Sequence, residues 1–126
     1  AETKYKWGTY LSAAGKITDA SAANGASQDN LASTAYGIAA ILELVSLATG
    51  TVTVVVQESS DDGGADPFAA KATFTAVAAA GAPTSERITA TGTVERYLRV
   101  ATTGTFTTAI FAVGIRRGTA QDRVAY

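Results

Sequence analysis

The sequence predicts an all-β protein, an antiparallel β-sandwich or jelly roll with extended N- and C-terminal segments. Three observations carry this. Apolar residues recur with a period of two in separate runs, as in TVTVVVQES, GTVERYLRVA and TFTTAIFAVGIRR, the spacing that sends alternate side chains to opposite faces of a strand. Gly-bearing turns bound those runs. Thr, Val, Ala and Gly dominate, with only two Pro, and the alanines lie among Thr, Gly and Ser rather than among the long straight-chain residues that sustain a helix. At 126 residues the chain fits one domain, able to bury about two-thirds of its unfolded surface.

Residues 1–37 are poor in large aliphatics and read as a loop-rich arm that packs on the domain or on a neighbour. AETKYKWGTY sets Tyr5, Trp7 and Tyr10 among Lys4 and Lys6; it is either a first strand with Tyr5 and Trp7 on one face or an arm lying on something else. The Ser-, Ala-, Asn- and Gly-rich stretch that follows predicts loop, with one short strand around Lys16–Thr18. A structureless loop beyond about 15 residues seldom lacks a use in a compact domain. Contact with neighbours is one account of it, and disorder in the free chain is the other.

Residues 38–118 carry the sandwich core. IAAILELVSL has helical spacing at Ile38, Ile41, Leu42 and Val45, but it also alternates, and a strand is the reading adopted, with Ile38, Ala40, Leu42 and Leu44 on one side. Its other side, Ile41, Glu43, Val45 and Leu47, is nearly as apolar. Thr49-Gly50 predicts a tight turn into TVTVVVQES, an antiparallel hairpin with Val52, Val54 and Val56 facing one way. SSDDGGADPF is the strongest loop signal. KATFTAV follows as a strand with Ala72, Phe74 and Ala76 on one face, and RITAT as another with Ile88 and Ala90 inward. After Gly92, Leu98 and Val100 face the core while Glu95, Tyr97 and Arg99 form the opposite, charged and aromatic face. Thr103-Gly104 leads into the last strand, with Ala109, Phe111, Val113 and Ile115 in phase. Residues 119–126 form a polar tail.

Composition narrows the chemistry. There is no Cys and no His, so disulfides, thiolate or imidazole metal sites and Ser–His or Cys–His catalysis are excluded. The net charge of −1 supplies no cationic field for nucleic acid, and no run has the roughly 18 apolar residues of a membrane span. Asp61, Asp62 and Asp66 cluster in one loop but lack the alternating carboxylate pattern of a calcium loop, so a solvated loop tip is the better reading. Nothing pairs two of Glu43, Glu58, Glu86 and Glu95 as glycoside hydrolysis requires. No enzyme and no cofactor are expected. Charge is asymmetric: residues 1–86 carry all four Lys and nine acids, and residues 87–126 all six Arg and two acids. Arg suits planar contacts at interfaces, and such polarity favours association of identical copies. Tyr5, Trp7, Tyr10, Tyr97, Arg99, Arg116, Arg117 and Arg123 are therefore the candidate subunit contacts.

TVTVVVQESSDDG, then FTAV, then ERITATGTVERYLRVATT, then TTAIFAVGIRRG, resembles a family of small tailed-bacteriophage virion proteins over residues of about 50 to 118. In that family a V-x-V-Q-x-S-x-D-G strand and turn precede a G-T-V-x-R-Y-L-R-V strand and a final apolar strand. The resemblance implies a β-sandwich without enzymatic activity. It points to a head decoration (cement) subunit, made in the host cytoplasm, that binds the major capsid protein on the outer capsid surface and self-associates, for example as a trimer. Minor tail proteins share the same texture. A carbohydrate-binding module using Trp7 and the tyrosines as a stacking platform is the reading from a different class.

Overall fold

The computed structural model describes residues 9–10 and 17–118. Among the described residues there are nine strands and one short 3-10 turn at Ala79–Gly81: β1 Thr9–Tyr10, β2 Ile17–Asp19, β3 Gln28–Asp29, β4 Ile38–Ser59, β5 Ala69–Thr73, β6 Val77–Ala78, β7 Thr84–Ala90, β8 Tyr97–Thr103 and β9 Phe106–Arg117. Every pairing is antiparallel, and the fold is all-β. The expected strand at Lys16–Thr18 is β2, within one residue.

The predicted hairpin at Thr49-Gly50 is not formed, because β4 runs unbroken from Ile38 to Ser59. At about 3.3 Å per residue such a strand would be about 70 Å long if straight, several times the radius of a domain of this size. It must bend, and it does so at Gly50. Its first half pairs with β7 on one side and β9 on the other; its second half pairs with β5 and β8. β8 and β9 in turn form one long partner running back along β4, from Ser59↔Tyr97 through Gly50↔Phe106 to Ile38↔Arg117. Outside them, β1 and β2 flank β9, and β3 flanks β8. The sheet is thus folded across its middle into two layers, β7–β4–β9 with β1 and β2, and β5–β4–β8 with β3.

Two glycines make the fold line possible. Gly50 has φ +87°, and a Cβ there would sit 2.2 Å from the Thr105 carbonyl oxygen; Gly104 has φ +103°, and a Cβ there would sit 2.5 Å from the Thr51 carbonyl oxygen. Only glycine accepts both the left-handed backbone and this approach. The Thr51 amide donates to the Thr105 carbonyl across the crease at 2.9 Å.

One core fills the space between the layers. Ile38, Ala40, Leu42 and Leu44 come from the first half of β4, and Val52, Val54 and Val56 from the second. Leu98 and Val100 come from β8, Ala109, Phe111, Val113 and Ile115 from β9, with Phe74 and Val94 beside them. The inward sets of β4, β8 and β9 are those the alternation indicated, and Ile88 and Ala90 pack against this core. The inward phase of β4 moves from Leu44 to Leu47 because a bulge between Leu44 and Ser46 inserts Val45. On β5 the face continues through Ala72 and Phe74 but not to Ala76, which is exposed; Val77 is the half-buried residue in its place. The described stretch from Gly25 to Thr34 is tied to the body rather than free: Gly25, Asn30 and Thr34 each donate a backbone hydrogen bond to the segment from Val94 to Val100.

Candidate interaction surfaces

The chemistry-bearing side chains fall into three groups. The first lies where β9 ends. Arg117 stands in the inward phase of β9, and its half-buried guanidinium reaches the segment that leads into β8. Nη1 donates to Thr34 Oγ1 and the Val94 carbonyl, both at 3.2 Å; Nη2 donates to the Glu95 and Arg96 carbonyls at 2.7 and 3.1 Å. One planar fork therefore ties the end of one layer to the start of the other. Burial pulls its pKa below the ordinary arginine value, with the Glu58 charge opposing.

Beside it, Arg96 forms a two-pronged pair with Asp29, Nε to Oδ1 at 2.7 Å and Nη2 to Oδ2 at 2.9 Å. The Arg96 fork and the Leu31 amide hold the Asp29 carboxyl at about 2, from an ordinary 3.8. Arg96 also lies 5.0 Å from the centroid of the Tyr97 ring, within range of a cation–π contact. The turn that Asp29 anchors presents Leu31, which has φ +70° and is 77% exposed.

The second group is the outer face of the β5–β4–β8 layer. Arg99 Nε donates to Gln57 Oε1 at 2.7 Å across the β4–β8 pair, and its guanidinium carbon lies 4.2 Å from the Phe68 centroid.

The third is the loop of residues 60–68. Asp61 accepts from the amides of Gly64, Ala65 and Asp66 at 2.7–3.1 Å. Buried Ser59 donates to the Asp66 carbonyl at 2.7 Å and accepts from the Gly63 amide at 2.8 Å. Desolvation raises the Asp61 pKa, but the three amides outweigh it and leave the group below its ordinary value. These carboxylate oxygens are engaged with the loop's own backbone. Among the described residues no group of three or more Asp, Glu, His or Cys is placed to hold a metal ion. Glu95, next to this loop, is pushed above its ordinary value by desolvation and then by the charges of Asp66, Glu58 and Asp61.

The eight candidate contacts are thus distributed unevenly. Tyr5, Trp7 and Arg123 lie outside the described residues. Tyr10 occupies β1 opposite Gly114. Tyr97 is half-buried at the start of β8; Arg99 is engaged by Gln57 and Phe68, and Arg117 by Thr34 and the carbonyls of Val94, Glu95 and Arg96. Arg116 is half-buried opposite Ala39 near the end of β9. Sequence reasoning missed the roles of Asp29 and Arg96, whose side chains are 67 residues apart. It also missed Lys71, whose ammonium donates to the Thr91 and Thr93 carbonyls, and Glu86, which accepts from the Thr75 amide and hydroxyl. The outer face of the β7–β4–β9 layer differs from these clusters. Ile41, Ile110, Ala112 and Gly114 are half-buried there, Ala39 is buried and Val45 is 54% exposed, among the exposed polar residues Glu43, Ser85, Arg87 and Thr89. Among the described residues no helix is long and apolar enough to cross a membrane.

No protein-family model matches the chain, and no curated protein matches it. One similar solved structure comes from work described as "Bacillus endospore appendages form a novel family of disulfide-linked pili"; it shares 22% identity, covers 91% of this chain and 95% of that chain, and superposes with a TM-score of 0.45. So loose a likeness carries no function across.

Proposed function

We propose that this chain is a non-enzymatic structural subunit of a tailed-bacteriophage virion, a decoration (cement) subunit that binds the major capsid protein on the outside of the head and reinforces it. The motifs of residues 50–118 support the phage assignment. The structural observation that carries the reading is where the two chain ends join the body. Thr9 lies opposite Ile115, and the described chain leaves at Gly118. The aromatic and basic segment 1–8 and the segment 119–126 with Arg123 therefore attach at one end of β9. That end is braced by the Arg117 fork, so contacts made through the two segments are anchored on a stiff platform. Many weak contacts repeated over a shell add up through multivalency without one large interface.

Immunogold labelling of virions in negative stain tests the assignment. Label over the head supports a decoration subunit; label confined to the tail assigns a tail component, and no label on virions refutes both. Glycan binding abolished by Trp7→Ala would replace the reading with a carbohydrate-binding module.

A further inference from the structure

After β2 the chain runs antiparallel along the outer edge of β8 and of the segment that precedes it. Asn24 lies opposite Ala101, Gln28 opposite Leu98, Asp29 opposite Tyr97 and Thr34 opposite Val94. This arm is held mainly by its backbone: the Gly25, Asn30 and Thr34 amides donate to the Val100, Arg96 and Val94 carbonyls, and the Thr102 amide donates to Ala23. From Thr18 to Tyr36 no residue is buried; Asp19, Ser27 and Thr34 are half-buried, the rest are exposed, and none belongs to the core. Before Leu31 its side-chain ties are the Thr102 hydroxyl, which accepts from the Ala23 amide and donates to Asp19, and the exposed Asp29–Arg96 pair. A strand paired along its backbone without buried apolar contacts opens at low cost, and an exposed ion pair adds little.

The arm also carries a strained joint. Leu31, Ala32 and Ser33, all exposed, stand between Asn30, bonded to Arg96, and Thr34, bonded to Val94, where the body has Glu95 alone. Leu31 has φ +70° and is 77% exposed, a backbone that an aliphatic L residue adopts only under strain. A short strained joint invites exchange of the element beyond it. We infer that the arm is exchanged between two copies: the joint at Leu31–Ser33 straightens, and the chain ahead of it, β3 included, lies on the β8 edge of the other copy. The structure itself selects the occupant, because this edge already binds this arm, and identical residues remake every closed contact in the exchanged pair. The twofold relation then sets the two joints side by side and covers Leu31. The closed arm competes from its own chain, so exchange rises with concentration. This inference does not depend on the phage assignment.

Two single-cysteine forms of the full chain test it, since the sequence has no cysteine of its own. Positions 24 and 101 face each other between the Gly25–Val100 and Thr102–Ala23 hydrogen bonds, the kind of pair whose Cα atoms, about 4.5 Å apart, suit a disulfide. Asn24→Cys mixed with Ala101→Cys and oxidised is expected to give a cross-linked heterodimer well in excess of either homodimer. Sedimentation equilibrium gives an independent reading. Asp29→Arg and Arg96→Asp each set like charges together, whereas their mixture sets opposite charges together at both exchanged edges and is expected to form a heterodimer. Leu31→Gly accepts the closed joint and should weaken wild-type dimerisation about fivefold or more; Leu31→Pro cannot adopt φ +70° and should strengthen it by a similar factor. Cysteine forms that cross-link no better mixed than alone, or a charge mixture that stays monomeric, overturn the inference, because the arm then keeps to its own body. So does a dimer that both Leu31 variants leave unchanged. If Ala101→Cys fails to fold, the charge mixture decides.

Discussion

Replacing Gly50 with Ala isolates the crease on which the whole sheet folds. Two costs are legible in the structure. The left-handed backbone, φ +87°, costs an L side chain roughly 1–2 kcal/mol. The new Cβ would also stand 2.2 Å from the Thr105 carbonyl oxygen and 2.7 Å from Phe106 Cα. Both obstacles are backbone and cannot swing aside, so relief means shifting the strand, at roughly 1–3 kcal/mol. The expected loss is about 2–5 kcal/mol, or about 10–20 °C in melting temperature for a domain of this size. Gly92 provides the control. Its φ is +86°, yet nothing lies within 4 Å of the Cβ position, so Gly92→Ala bears only the conformational term, partly offset by a stiffer unfolded chain. Urea unfolding of the two variants reads the difference directly. Equal midpoints would show that the crease is not sterically defined and refute the folded-sheet argument.

Three further outcomes follow from the polar clusters. Arg117→Ala leaves the Val94, Glu95 and Arg96 carbonyls without their guanidinium partner and is expected to cost about 2–3 kcal/mol; Arg117→Lys restores only part of it, because an ammonium lacks the planar fork, as denaturant titration will show. Asp61→Ala removes the acceptor of three amides and should make the loop of residues 60–68 the first site of limited proteolysis, with Asp61→Asn intermediate. Stability should vary with pH in two opposed ways. The Asp29 carboxyl is depressed to about 2, so its contribution is present above 3.8 and lost as pH falls toward 2. Glu95 is raised, so its ionisation weakens the fold as pH rises through its own titration. Melting temperatures measured across pH should lose the first slope in Arg96→Ala and the second in Glu95→Gln.

The strands were legible where one face meets a core. Leu98 and Val100, or Phe111 and Val113, announce themselves by alternation because burial acts on every second residue. The crease was not legible. A glycine with positive φ between β-branched residues looks the same whether the chain reverses or merely bends, and the partner strand decides. Here Leu44 lies beside Phe111 and Val56 beside Val100, so Gly50 bends a strand where a hairpin would have set the two halves of β4 side by side. The nearly apolar second side of IAAILELV was visible in the sequence, and the structure buries Ala39, half-buries Ile41 and leaves Val45 54% exposed on that side. The polar clusters were mostly hidden. Arg117 binds backbone carbonyls more than twenty residues away, and carbonyls leave no mark on residue type. The Asp61 loop was legible as a loop because its partners are local amides within five residues.

Head assignment is tested most directly by co-sedimenting the purified chain with phage heads stripped of it, alongside purified tails. A decoration subunit gives saturable binding to heads, at a stoichiometry set by the shell's symmetry, and heads that better resist disruption. Binding to tails alone, or to neither particle, would contradict it.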